Sequence, residues 1–386
     1  MVDSLSPSHA GADPGRSLSR RSMPRVLYLS TDLQRGGLPL RLCRLVLRLR
    51  DLGVTPIVGC LTTPGPLSDE LSAAGIDVFA CGGRGGLDVS CLWRFAKIVR
   101  RFDPDLIHAS LFHSNLAARL MGRCDRPRPI ITSTVTIEIE RAWHRWGEWA
   151  TAGLSSLHVA NGLAVAAHLE NDLAFSPQRL AVIPNGIELA AFESAEPIDR
   201  ASFGIAPDVP TVLWVGRMDR VKDLATFVSA VRVVAAGRRV QAVLVGDGPE
   251  RSTLMKSIRD DGSPEIFLLP GWSNEVPRWL KAASCLVLTS RTEGCPNVLL
   301  EAMACRCPVV ASDIAPCSEL ITHNQHGLLA PVGDPAAFAG AIGRVLSDPV
   351  AAARRSEAAI ARIEQRHDLT RVADQWMQVY DRLLGS

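Results

Sequence analysis

The sequence predicts an α/β protein made of two doubly wound parallel sheets, and three observations carry that expectation. Short apolar runs without polar alternation recur along the chain, as in strands buried on both faces. Helix-like stretches separate them, so the strands are joined by crossovers and lie parallel. The series restarts after a proline- and charge-rich connection at residues 193–210, ESAEPIDRASFGIAPDVP, which leaves two halves of similar length.

In the first half, residues 23–192, strand-like runs fall at 25–30, 56–61, 78–81, 105–108, 130–133 and 157–160. Gly36-Gly37 follow the first run, and a basic amphipathic helix over 38–52 carries Arg41, Arg44, Arg48 and Arg50. Further helices are expected over 88–102, 114–121 and 163–171. Residues 141–149, RAWHRWGEW, interrupt the alternation with three of the chain's eight tryptophans. The second half, 211–368, repeats the pattern at 211–215, 242–245, 266–269, 285–288 and 309–311. The chain ends in an amphipathic helix with Val372, Trp376, Val379 and Leu383 on one side.

Composition narrows the function. At 386 residues the chain exceeds one ordinary domain, and an apolar fraction of 47% can fill two cores. Forty-two basic against 40 acidic residues leave almost no net field, which argues against nucleic acid as a partner. Residues 1–22 are rich in Ser, Gly, Pro and Arg and have no apolar h-region, so they read as a disordered tail rather than a signal peptide. No run approaches the ~20 apolar residues of a membrane span. The expected location is cytoplasmic, at most peripheral on the inner face of the plasma membrane. The ten cysteines contain no C-x-x-C pair, and Cys60, Cys81 and Cys285 sit in apolar runs, as reduced buried thiols do. No histidine spacing suits zinc, and His323 and His326 fall in a polar loop, so no metal is expected.

In open parallel sheets, ligands bind beyond the carboxyl ends of the strands. The most informative stretch there is residues 289–301, TSRTEGCPNVLLE. It leads from an apolar run into a helix, with Glu293 on the loop and Glu301 inside the helix. Gly294 permits close backbone approach, Pro296 suits a first helical turn, and the free amides of that turn with the helix dipole form an anion site. Glu301 lies in an apolar run and needs a hydrogen-bonding partner, which ligand hydroxyls would supply. Arg217 and Lys222, five apart after another strand, could clamp a diphosphate or could be a solvated basic loop. Gly246-Asp247-Gly248 lacks the third glycine of a dinucleotide fingerprint, which argues against hydride transfer. His108 and His113 flank a strand end; a lone histidine is more often structural than functional.

Taken together, these strings resemble family 4 retaining glycosyltransferases of the GT-B fold, of the type that builds bacterial polysaccharides and glycolipids. The stretch from Glu293 to Glu301 is similar to the E-x7-E signature. Val215-Gly-Arg217 with Lys222-Asp223, Val245-Gly-Asp-Gly-Pro-Glu250, Val182-Ile-Pro-Asn-Gly-Ile187 and Gly327-Leu-Leu-Ala-Pro331 resemble family landmarks in the family's order. Gly36-Gly37, Pro104-Asp-Leu-Ile-His108 and Phe112-His113-Ser-Asn115 extend the likeness into the first half.

The resemblance implies two Rossmann-like domains facing a cleft, with a C-terminal helix over 369–386 returning to the first domain. It implies a hexosyl donor, a UDP- or GDP-sugar, held by the second half without a metal or other cofactor. Arg217 and Lys222 would bind the diphosphate and Glu301 the ribose. Glu293 would contact the transferred sugar, aided by backbone amides around Gly294, Asn297 and Val298. Gly36 and Gly37 would approach the phosphates from the other domain, and His113 would lie near the sugar and acceptor. The acceptor would be a glycan or a polyprenyl-diphosphate-linked saccharide. The arginines of the 38–52 helix and the 141–149 segment could contact an anionic membrane surface, or could be a solvated basic face and ordinary packing tryptophans. Three positions depart from the family pattern: Leu38-Pro39 where a glutamate is frequent, Cys295 for an aromatic, and Arg306 for a glycine. A non-catalytic nucleotide-sugar-binding partner, or another GT-B enzyme such as an epimerase, is the alternative.

Overall fold

The structure is a computed structural model and describes residues 23–34, 36–84, 88–137 and 142–385. Segment 1–22 and Arg141 lie outside these residues.

The first half alternates strands and helices: β1 (Arg25–Ser30), α1 (Gly37–Asp51), β2 (Thr55–Cys60), α2 (Pro66–Ala73), β3 (Asp77–Ala80), α3 (Val89–Phe102), β4 (Leu106–Ser110), α4 (Phe112–Met121), β5 (Ile130–Thr134), α5 (Ala142–Thr151), β6 (Leu157–Ala160), α6 (Leu163–Asn171) and β7 (Leu180–Val182). Its strands form one sheet in the order β3-β2-β1-β4-β5-β6-β7. A short helix, α7 (Leu189–Glu193), leads into the second half. There the order is β8 (Thr211–Val215), α8 (Leu224–Gly237), β9 (Gln241–Val245), α9 (Arg251–Asp260), β10 (Phe267–Gly271), α10 (Val276–Ala282), β11 (Cys285–Leu288), α11 (Asn297–Ala304), β12 (Val309–Ser312), α12 (Ala315–Leu320) and β13 (Leu328–Ala330). Three helices follow: α13 (Pro335–Ser347), α14 (Pro349–Arg366) and α15 (Leu369–Leu384). The second sheet runs β10-β9-β8-β11-β12-β13. The pairings in both sheets are parallel.

These are the two doubly wound sheets that the apolar runs predict, with strand ends displaced by a residue or two. Central strands such as β8 are buried along their whole length, which is why they read as unbroken apolar runs. Each sheet carries a core on either face. Tyr28 and Val58 pack on one side of the first sheet, Leu27 and Ile107 on the other.

Three features differ from the expectations. Residues 142–151 form helix α5 and continue the alternation; the tryptophans hid its periodicity. Ile187 and Phe192 pack in the core of the second half with Ile198 and Ile205, so the chain changes body near Gly186, ahead of residue 192. The arginines of α1 do not make an exposed basic face: Arg41, Arg44, Arg48 and Arg50 are all partly buried, and Arg50 donates to the Ala74 carbonyl at 2.6 Å.

The return crossing lies beside the first one. Ile187 N–H donates to the His367 carbonyl at 2.7 Å, and Leu369 N–H to the Ile187 carbonyl at 3.0 Å. Beyond it, α15 buries Val372, Ala373, Trp376 and Tyr380 in the first core, among Leu42, Val46 and Leu49 of α1. Helix α14, one residue pair earlier, still packs in the second core through Ile360 and Ile363.

Arg306 takes the left-handed position just past α11, with φ 54°. Its N–H donates to the Met303 carbonyl, and Cys307 N–H to that of Ala302, a Schellman end that glycine usually occupies. Ion pairs to Glu357 (3.1 Å) and Glu193 (3.9 Å) anchor the long side chain outside the turn. All ten cysteines are free thiols, eight of them buried. His326 Nδ1 accepts from Thr322 N–H and His323 Nδ1 from Leu329 N–H, so this pair shapes a turn.

Candidate active site

Strands of both sheets deliver their carboxyl-end loops to the junction between the domains. The loop after β11 is tied to the loop after β8, because Thr289 Oγ1 donates to the carbonyls of Lys222 (2.9 Å) and Asp223 (3.1 Å). That fastening sets Glu293 against Lys222: Nζ lies 2.6 Å from Oε1, and Ser290 Oγ donates to the same oxygen at 2.7 Å. Both side chains are largely shielded, 11% and 20% exposed, so this charge-assisted bond is worth more than a surface pair. Arg217 is different. Its side chain is 74% exposed and Nε sits 3.2 Å from Asp219, an arm able to swing.

Helix α11 starts at Asn297 behind Pro296, and this end presses against the first domain. Asn297 Oδ1 accepts from Arg41 at 3.0 Å and from Asn185 Nδ2 at 2.8 Å. Gly294 sits so close to the Val135 carbonyl that a Cβ would lie 1.9 Å from its oxygen, so only glycine fits. Gly36 is the extended N-cap of α1, and a Cβ on Gly37 would meet Asn297 Nδ2 at 3.3 Å. Val298 packs against the second core. Gly36, Gly37, Gly294, Asn297 and Val298 therefore gather at one junction, as do Lys222 and Glu293.

Glu301 lies one turn into α11. Burial pushes its carboxyl up to about 7, while the opposing charges of Arg44 and Arg41 act to lower it. Among the described residues that carboxylate accepts no hydrogen bond.

The histidines separate. His108 is buried, 2.9 Å from both Tyr380 Oη and Ser133 Oγ, and burial holds it neutral with its pKa down to about 3. It is a core residue joining β4, β5 and α15. His113 stands in the first turn of α4, after Leu111 at φ 76°, in a ring cluster with Phe112 (5.1 Å), His144 (5.2 Å) and Trp143 (6.0 Å). A cavity of about 540 Å³ opens between the domains, lined by Glu293, Arg291 and Pro316 on one side and Ala164, His168 and Asn171 on the other.

Glu293, which lines the cavity, holds the shielded cation of Lys222 close to the N-terminus of α11, a combination that suits an anionic ligand bearing hydroxyls. Among the described residues, no group of three or more His, Cys, Asp or Glu side chains is placed to hold a metal ion, and no helix is long and apolar enough to cross a membrane. Sequence reasoning gave no role to Asn185 and Ser290, although both lie inside the sequence motifs, missed Glu319 and misplaced Arg41. Ser290 bonds Glu293 three residues away, whereas Asn185, Glu319 and Arg41 acquire their partners from distant segments.

Residues 35–191 match glycosyltransferase family 4, and residues 209–348 match the glycosyl transferases of group 1. The chain is 27% identical over 278 residues to a D-inositol 3-phosphate glycosyltransferase of Frankia alni, covering 69% of this chain and just under two thirds, 65%, of that one. It is 30% identical over 282 residues to a UDP-Gal:alpha-D-GlcNAc-diphosphoundecaprenol alpha-1,3-galactosyltransferase of Escherichia coli, covering 68% and 72%. In three dimensions it is similar to HepE of Anabaena in complex with UDP-glucose, with TM-score 0.82, 23% identity, and 93% and 100% of the two chains covered. Two parallel-sheet Rossmann-like domains with a returning C-terminal helix are the GT-B fold, and the chain belongs to glycosyltransferase family 4.

Proposed function

We propose that the protein is a retaining glycosyltransferase. It moves a hexosyl group from a UDP- or GDP-sugar, without a metal, to a glycan or polyprenyl-diphosphate-linked saccharide in cell-surface polysaccharide synthesis. The observation that carries this reading is the shielded Lys222–Glu293 pair beside the N-terminus of α11, whose Glu293 lines the interdomain cavity. The E. coli relative, named for joining UDP-Gal to a GlcNAc-diphosphoundecaprenol acceptor, supports the substrate classes.

In this mechanism the anomeric C–O bond to the diphosphate breaks, and a bond to the acceptor hydroxyl oxygen forms on the same face. The hydroxyl proton passes to the departing phosphate. Charge grows on the diphosphate, so Lys222, Arg217 and the amides of Gly294, Asn297 and Val298 stabilise the transition state more than the ground state. Arg217 closes onto the phosphates by releasing a weak surface pair with Asp219. Gly36 and Gly37 bring backbone to the phosphates from the other side. Glu293, held by Lys222 and Ser290, positions the sugar and offsets positive charge at the anomeric carbon. Glu301 accepts from the ribose hydroxyls, and His113 faces the acceptor. The working location is cytoplasmic, peripheral to the inner membrane face.

The test is nucleoside diphosphate release and sugar transfer from UDP- and GDP-sugars in the presence of a chelator. Glu293→Ala and Arg217→Ala should each lower transfer at least ~100-fold with melting behaviour retained. Near-normal turnover in either variant overturns its assignment, and an inverted anomeric signal in the product overturns retention.

A further inference from the structure

Arg41 belongs to α1, in the acceptor-side domain, yet it points across the cleft. One guanidinium nitrogen donates to Asn297 Oδ1 of the other domain at 3.0 Å, while Nε is buried without a hydrogen-bond partner. Desolvation lowers its pKa to about 10, and the neighbouring Cys295 and Glu301 act to raise it. Glu301 faces it from α11 with a carboxylate that accepts no hydrogen bond among the described residues, and the two make no direct ion pair. Thus an unpartnered N–H of one domain lies beside the first turn of α11, where Arg41 bonds Asn297, and the carboxylate of Glu301 stands four residues, about one helical turn, further along that helix.

Buried polar groups of native proteins nearly always find partners, so such a pair marks the place where a ligand supplies them. The ligand group must donate to the carboxylate and accept from the guanidinium at once. A vicinal diol does both: each hydroxyl carries a proton for Glu301 and lone pairs for Arg41.

We propose that Arg41 is a donor-binding residue that forms, with Glu301, a two-domain clamp on the ribose diol of the nucleotide. The clamp rests on the donor reading given above, and it assigns the ribose a contact from the acceptor-side domain. Because Arg41 also holds Asn297, the first residue of α11, the ribose contact and the closed arrangement of the domains form together.

The experiment measures equilibrium binding of UDP, GDP and their 2′-deoxy counterparts to the full chain. Wild type should prefer the ribonucleotide. Arg41→Gln should weaken binding of that ribonucleotide by about tenfold and leave the deoxy form nearly unchanged, so that the preference collapses. A merely structural loss would weaken both equally and keep the preference. Arg41→Lys, which retains charge without the planar fork, should recover part of it and guards against a folding defect. In a Glu301→Gln background, Arg41→Gln should change the preference no further. Wild-type preference retained in Arg41→Gln overturns the clamp alone. Failure of wild type to bind either diphosphate overturns the donor reading and the clamp with it.

Discussion

Glu301 shows how a single carboxylate can hold function against stability. Its folded-state pKa, about 7, lies above the model-compound value of 4.5 because burial disfavours the charge. The stability linked to it is fully present below pH ~4.5 and is lost as pH rises through ~7. Glu301→Gln removes that charge. It should raise stability by roughly 1–3 kcal/mol at pH 8 and leave it nearly unchanged at pH 4, while nucleoside diphosphate affinity falls. Thermal melts at the two pH values check this; a lower melting temperature at pH 8 would contradict it. The need of Glu301 for a partner was legible in the sequence, because a carboxylate inside an apolar run must find one. Its facing cation was not, because Arg41 lies about 260 positions away and looked like one of four exposed arginines.

At the scale of the element, α5 divides its faces sharply. His144, Gly147 and Glu148 turn inward: His144 stacks on Phe112 at 4.1 Å, and Glu148 pairs with buried Arg119. Trp146 and Trp149 turn outward, 69% and 61% exposed, with Leu154 close behind at 42%. Large exposed indoles cost hydration in water but sit well at a lipid headgroup boundary, and Arg145 on the same helix adds charge suited to anionic lipid. Co-sedimentation with anionic vesicles should be strong at low salt and weaken as salt rises. A Trp146→Ser, Trp149→Ser double variant should lose it and keep turnover on a soluble acceptor. A wild-type protein that leaves such vesicles unbound at low salt would remove the membrane contact. The contrast with α1 is instructive. The α1 stretch reads as a basic amphipathic helix and the 141–149 stretch as tryptophans among basic residues, but α1 is covered by α15, and only folding reveals which helix is covered.

For the whole molecule, the relation between the domains is governed by contacts that no local pattern announces. Glu319 of α12, in the second domain, accepts from Leu163 N–H at 2.8 Å and from Ala164 N–H. It thereby caps α6 of the first domain, whose own N-cap residue, Gly162, has no side chain to do so. A Cβ on Gly162 would come within 2.9 Å of the carboxylate, so the glycine admits the cap from outside. The charge also complements the positive end of the helix dipole. Glu319→Ala should cost about 0.5–2 kcal/mol in the closed arrangement, seen as faster amide exchange at Leu163 and Ala164 and a larger radius of gyration in solution scattering. Unchanged exchange at these amides would show that Glu319 does not hold the domains together.

By itself the sequence determined the two parallel sheets, most of their strands, the longer helices of the first half apart from α5, the C-terminal helix, and the motif around Glu293 and Glu301. Periodicity and turn chemistry act over a few residues and are written locally. Short β13 and helix α5 escaped because three residues carry no period and tryptophans obscure one. Only the tertiary structure decided which body Ile187 and Phe192 join, that His108 is a core residue, and that Arg41, Asn185 and Asn297 meet. Those outcomes depend on burial and on partners brought together across hundreds of residues, where desolvation makes each pairing matter and chain proximity gives no hint of it.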